Sequence, residues 1–183
     1  MILIKHSYLC YGFNLKTMKK LLFVIALALL TTGTFAVEKT DKKDDVKKVS
    51  YSALKQFEQE FGTAKDVSWK VNDQYIKASF TSEGKKMAAL YDLQGSYLGA
   101  VEYLTYEQLP VKARTEIEKW FKDFNFSSAL KIVNRPNSNG DFNDVGTYWV
   151  DLTNDVKQLY VSVSPSSSVA LFKTISLEAT AKN

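Results

Sequence analysis

Twice along this chain, an apolar stripe at helical spacing is followed by short segments that alternate apolar and polar residues. That order confines the chain to layered folds in which helices lie against a sheet. The first stripe is Leu54, Phe57 and Phe61, at i, i+3 and i+7 of a helix read over Ser50 to Phe61. Ser50 or Ser52 can cap its start, and Gly62 stands where a left-handed C-terminal cap favours glycine. Val67 to Val71 then alternates, and Asn72-Asp73 turns the chain. Gln74 to Thr81 alternates again, with Ile76, Ala78 and Phe80 on one face and Tyr75, Lys77 and Ser79 on the other. Ser82-Glu83-Gly84 leads into Lys85 to Asp92, and Leu93-Gln94-Gly95 into Ser96 to Tyr103. Connections this tight join neighbours, so the strands form an antiparallel meander.

The second half restarts the pattern. Thr105 to Gln108 has capping-box character, Pro110 suits a first helical turn, and Ile117, Trp120, Phe121 and Phe124 form the stripe. Strands are read over Ala129 to Val133, Thr147 to Thr153, Val156 to Ser164 and Ser168 to Ile175, with a polar loop, Asn134 to Gly146, after the first. Leu54, Phe57 and Phe61 align with Ile117, Trp120 and Phe124, and Val67 and Trp69 with Leu130 and Ile132, all at an offset of 63. After the loop the offset is 72 (Ile76 to Tyr148), an increase of nine. One register change in one polar loop is what an internal duplication with a single insertion leaves; the competing reading is chance likeness of amphipathic segments. The expected fold is α+β: two tandem helix-plus-four-strand repeats, 50–104 and 105–177, with both helices packed on one face of a largely antiparallel sheet.

Ahead of this lies a secretion signal. Met18-Lys19-Lys20 is a basic head, Leu21 to Leu30 is unbroken apolar, and Thr34 and Ala36 make a small-x-small cleavage site. The signal is read over 18–36, with cleavage between Ala36 and Val37. The apolar run is shorter than the roughly 20 residues of a spanning helix, and no cysteine follows to carry a lipid. A periplasmic or secreted product with no stable membrane anchor after processing is expected. Residues 1–17 read as a start codon placed too early. The stretch 37–49 is charged and reads as a disordered leader, and 178–183 as a frayed tail.

The only histidine, His6, and the only cysteine, Cys10, both precede the cleavage site. The processed chain therefore has no Ser-His-Asp relay, cysteine nucleophile, histidine metal site or disulfide. The charge balance changes too. Of 24 Lys and Arg, four (Lys5, Lys16, Lys19, Lys20) precede the cut and no acid does, leaving 24 − 4 = 20 bases against 20 acids. Arg114 and Arg135 are the only arginines, so no nucleic-acid partner is expected.

Phe57 to Gly62 (FEQEFG), Ala64 to Trp69 (AKDVSW), Tyr75 to Phe80 (YIKASF) and Ala89 to Gly95 (ALYDLQG) together resemble the PepSY-like family of β-lactamase-inhibitor-like secreted proteins. The likeness spans about Tyr51 to Ile175. The second copy lacks the Phe-Gly helix end and has Val163-Ser164-Pro165-Ser166-Ser167 in place of Tyr-Asp-x-x-Gly. The resemblance implies an exported protein of helix-plus-sheet repeats with an inhibitor-like shape. It brings no catalytic motif and no cofactor.

If the helices cover the face bearing Ile76, Ala78, Phe80, Val150 and Leu152, the opposite face carries Tyr75, Lys77, Trp149, Asp151 and Tyr160. Amphipathic aromatics among charges suit a protein interface; cross-strand stiffening of a solvent-facing sheet is the alternative. In the polar loop, Phe142 is a candidate anchor for a partner's cleft. The oxygen-bearing Asn137, Asn139, Asp141, Asn143 and Asp144 are weak calcium candidates without an EF-hand's closing glutamate. Asp92, Glu102 and Asp151 are the acids at strand positions, with no paired-acid motif. Asn125-Phe126-Ser127 has the spacing of a glycosylation acceptor. The expected function is a non-enzymatic module that binds or inhibits a protein or peptide of the cell envelope. A small-ligand or glycan binder on the same face is the alternative, and a carboxylate-only hydrolase the third reading.

Overall fold

The computed structural model describes residues 45–136 and 144–177. A 3-10 turn, Val46–Lys48, leads to helix α1 (Tyr51–Phe61), then β1 (Lys65–Val71), β2 (Ile76–Ser82), β3 (Lys85–Tyr91) and β4 (Tyr97–Leu104). The same order follows: a 3-10 turn, Tyr106–Gln108, α2 (Val111–Trp120), β5 (Asn125–Asn134), β6 (Tyr148–Thr153), β7 (Lys157–Val163) and β8 (Val169–Ser176). The strands form one sheet in sequence order, every neighbouring pair antiparallel. The fold is α+β, as expected.

Both helices lie on one face. Ser50 caps α1 by accepting the Ala53 N–H at 3.3 Å. Ala53 and Phe57 are buried on Trp69, Ile76, Ala78, Phe80, Ala89 and Tyr91. The Phe57 ring meets Trp69 and Phe80 edge-on, with centroids 5.2 and 5.1 Å away. Helix α2 buries Ala113 and Ile117 over Ala129, Val150, Leu152, Leu159, Val161, Val163 and Val169. Burying side chains of this size contributes about 1.5–3 kcal/mol each.

Of the expected helical stripes, Phe57 and Ile117 are buried and Leu54, Phe61, Phe121 and Phe124 pack against the same clusters, while Trp120 does not. Residues 51–61 and 111–121 run through the same succession of buried, half-buried and exposed positions, place by place. The offset is therefore 60, with Ala53, Phe57 and Phe61 matching Ala113, Ile117 and Phe121. Each helix faces the sheet along i, i+4 and i+8, with an alanine where it approaches closest. Trp120 falls at the place of Glu60 and is 54% exposed. An offset of 60 also matches Trp69 with Ala129, both beneath helices, whereas Leu130 and Ile132 turn to the other face. From 60 to 72 (Ile76 to Tyr148), the loop adds twelve residues rather than nine. Two caps also differ. Gly62 is right-handed, at φ −61°, and Pro110 is the N-cap of α2 rather than its first residue.

The ordered fold begins before the expected Ser50. Val49 is buried, and Asp45 sits on the outer edge of β1. The Asp45 N–H donates to the Trp69 carbonyl at 3.0 Å, and its Oδ2 accepts the Val71 N–H at 3.4 Å. A charged segment thus acts as a stub of a ninth strand, closing that edge.

Candidate functional site

The strand registers place the expected residues on the face away from both helices. Lys77 is opposite Leu90, Val101 opposite Ile132, and Tyr103 opposite Leu130, which is opposite Trp149. Asp151 is opposite Tyr160, and Tyr160 opposite Lys173. Tyr75, just ahead of β2, is held by its N–H, which donates to Asn72 Oδ1 at 2.8 Å.

This face differs from the open aromatic surface expected. Tyr75, Ala88, Leu90, Val101, Leu130 and Ile132 form a buried apolar cluster, with Leu98, Tyr103 and Trp149 packed against it. Tyr75, Asp151 and Tyr160 are buried, at 6, 2 and 7% exposure, while Lys77 and Trp149 are half-buried. Side chains over β3 to β5 pack on one another across neighbouring strands instead of standing apart in water. Burial pushes the Tyr75 hydroxyl above its ordinary range and that of Tyr103 up to about 12, with Tyr75 itself adding to the second shift.

The exposed apolar groups lie further along, on edge strand β8. Leu171 and Phe172 are each about half exposed; Leu171 is opposite Val161, on the helix side, while Phe172 meets Trp149 edge-on at 4.9 Å. The sequence reading did not single them out; the run Val169-Ala170-Leu171-Phe172 in the last strand was their only signal. Trp149 Nε1 and Ser128 Oγ are buried on this face with no hydrogen-bond partner. Asp151 Oδ2 accepts from Gln158 Nε2 at 2.7 Å.

The candidate acids are not brought together. Asp92 Oδ1 accepts the Ser96 N–H at 2.8 Å in the β3–β4 turn. Glu102 lies on the helix side and pairs with Lys85 at 3.4 Å, while Asp151 is on the other face. Asp144 is buried and paired with the Arg135 guanidinium across the base of the polar loop. Its carboxylate therefore neutralises the arginine's charge. Asn137, Asn139, Asp141, Phe142 and Asn143 lie outside the described residues. Among the described residues, no three His, Cys, Asp or Glu side chains come together to hold a metal, and no helix is long and apolar enough to cross a membrane.

No family model matches the sequence, and no curated protein matches it. Solved structures do match. A DUF2874 family protein from Bacteroides ovatus is similar at 14% identity and a TM-score of 0.56, over 70% of this chain and 88% of that one. A BLIP-like protein from Bacteroides fragilis is similar at 13% identity and a TM-score of 0.55, over 74% of this chain and 91% of that one. A protein from Bacteroides eggerthii, described as a candidate periplasmic protein, is similar at 10% identity and a TM-score of 0.55, over 70 and 89%. The chain therefore has the fold that these DUF2874 and BLIP-like proteins share.

Proposed function

We propose that this chain is an exported, non-enzymatic module that binds a protein or peptide on the sheet face opposite its helices. One observation carries the reading: beside a buried apolar cluster to which neither helix contributes, half-buried Trp149 and half-exposed Phe172 leave an aromatic surface on that face. An antiparallel sheet covered on one side ordinarily turns its alternate, polar residues to water. Here Leu90, Val101, Leu130 and Ile132 occupy those places, bordered by Tyr75, Tyr103 and Trp149, with Phe172 half exposed beside them. Aromatic groups of this kind dominate interface energetics. Export is supported by the signal pattern and by the description of the B. eggerthii protein. The PepSY-like kinship is supported by the quoted segments, and an internal duplication by the recurrence of elements and burial at an offset of 60.

The test is capture on immobilised 37–183 from an envelope fraction, followed by affinity measurement with the identified partner. Trp149→Ala combined with Phe172→Ala is expected to weaken binding by about 2 kcal/mol or more, while Trp120→Ala, on the helix side, leaves it unchanged. Release of the bound material by free sugar favours the glycan alternative. Wild-type affinity in the double variant overturns the assignment of this face.

A further inference from the structure

The helix side carries a feature with no counterpart on the face just described. Helix α1 covers β1 to β3 and α2 covers β5 to β8, leaving β4 as the seam between the repeats. At the end of β4 a cleft of about 510 Å³ opens between the β2–β3 turn, Glu102 to Leu104 and the Tyr106–Gln108 turn. From this cleft we infer that the seam is a binding site for a primary alkylammonium group, which takes the place of Lys85 on Glu102.

Glu102 is only 7% exposed. A carboxylate so buried is costly unless its charge is matched. Its ion pair is with Lys85 Nζ at 3.4 Å, and the Lys85 side chain is 54% exposed. Charge-assisted bonds of this type are usually about 2.7–2.9 Å long, so the contact is loose and its lysine is held at the surface. An ammonium evidently reaches this carboxylate, and a better-seated one could displace it. The walls suit such a ligand. Tyr106 and Phe126, both on the helix side, line the cleft, and aromatic faces attract ammonium groups. The Tyr106 ring is fixed by its hydroxyl, which donates to the Arg114 carbonyl at 3.2 Å and lies 3.1 Å from Glu118 Oε1, and by Phe126 at 5.4 Å. At the mouth, the charges of Lys86 and Glu107 oppose each other.

The ammonium could belong to a free amine or to a lysine side chain of a peptide, and the inference does not depend on the reading of the opposite face. The test is an amide-resolved NMR titration of the full chain with n-butylammonium chloride and with N-acetyl-lysine-N-methylamide, using n-butanol as the uncharged control. Saturable shifts are expected at the backbone amides of Tyr103 to Gln108 with the amines and not with butanol. Lys85→Ala, which removes the internal competitor, is expected to bind roughly tenfold tighter, and Glu102→Gln roughly tenfold weaker. Tighter binding of the blocked lysine identifies a peptide source, and tighter binding of butylammonium a free amine. A site that responds to neither amine in wild type and Lys85→Ala overturns the proposal, as does equal binding of butanol. Because Lys85 is at the surface, its variant keeps the test decisive even if Glu102→Gln fails to fold.

Discussion

Gly95 sits where a side chain has no room. Its φ of +88° is left-handed, and a Cβ there would come within 2.2 Å of Ser50 Oγ and 2.9 Å of the Ala53 nitrogen. The β3–β4 turn is thus pressed onto the capped start of α1. Gly95→Ala is expected to cost about 2–3 kcal/mol, combining the left-handed penalty with damage to the cap, as read from urea unfolding. Gly84→Ala is the control: Gly84 is also left-handed, but a Cβ there meets nothing within 4 Å. Equal losses in the two variants would refute the contact. The second repeat meets the same turn differently. Ser164 Oγ accepts the Ser168 N–H at 3.0 Å, as Asp92 does for Ser96, and Ser167 holds the left-handed place at φ 67°. Ser167→Gly is therefore expected to stabilise by up to about 1 kcal/mol. Val163 to Ser167 thus holds the geometry of the Tyr91 to Gly95 turn with different residues. Side-chain truncation tests the helical faces. Phe57→Ala should cost about 3–5 kcal/mol, whereas Trp120→Ala, half exposed at a helix end, should stay within about 0.5 kcal/mol.

Among the elements, the two edges of the sheet are unequal. The β1 edge is closed by Asp45, which also pairs with Lys48 at 2.9 Å. A chain beginning at Ser50 loses that closure and the burial of Val49, an expected cost of about 2–4 kcal/mol. It also bares backbone groups that invite strand pairing. A lower urea midpoint and a rise in molecular mass by light scattering are the expected results; a truncated chain as stable and monomeric as the longer one would show that Asp45 closes nothing. This element was illegible in sequence because Val46-Lys47-Lys48 is charged and the role of Asp45 exists only once β1 lies beside it. The strands, by contrast, could be read within a residue or two for most of the chain. Period-two alternation bounded by Asn, Gly and Ser is a local signal that burial does not alter. The helical faces were legible except at Trp120, whose size places it in a stripe it does not join, and at Ala53 and Ala113, which are buried but too small to carry a hydrophobic signal. For the candidate site, the side of the sheet could be inferred by counting alternate residues. The depth of Tyr75, Asp151 and Tyr160 could not, since it arises from packing across neighbouring strands.

For the molecule as a whole, both faces of the sheet store tyrosines that resist ionisation, and this sets an alkaline limit on folding. Tyr91 and Tyr97 lie beneath α1 with ring centroids 5.5 Å apart, and neither hydroxyl has a partner. Burial raises both pKa values well above the ordinary 10. Glu60 adds to each, and Tyr91 adds to Tyr97. Tyr103, on the other face, is raised to about 12, again chiefly by burial. A group whose folded pKa is raised stabilises fully below its unfolded value, and that contribution is lost as pH climbs from there through the folded value. Stability is therefore expected to carry no contribution from these three groups to its pH dependence below pH 10. Above pH 10, each adds a loss of about 1.4 kcal/mol per pH unit. Each loss ends as its folded value is passed, so by about pH 12 the three together remove an amount comparable to a domain's whole stability of about 5–15 kcal/mol. Urea midpoints at stepped pH, with tyrosinate absorbance followed in parallel, test this. Stability should fall from pH 10, and the last tyrosines should ionise only as the chain unfolds. Tyr97→Phe removes one orphaned hydroxyl and one of the three titrating groups, so its decline should be about a third shallower, with no loss of stability at neutral pH. Ionisation of every tyrosine near pH 10 in a chain that remains folded would show that these rings are not packed between helix and sheet, and with them the core around Phe57, Trp69 and Tyr91 would have to be redrawn.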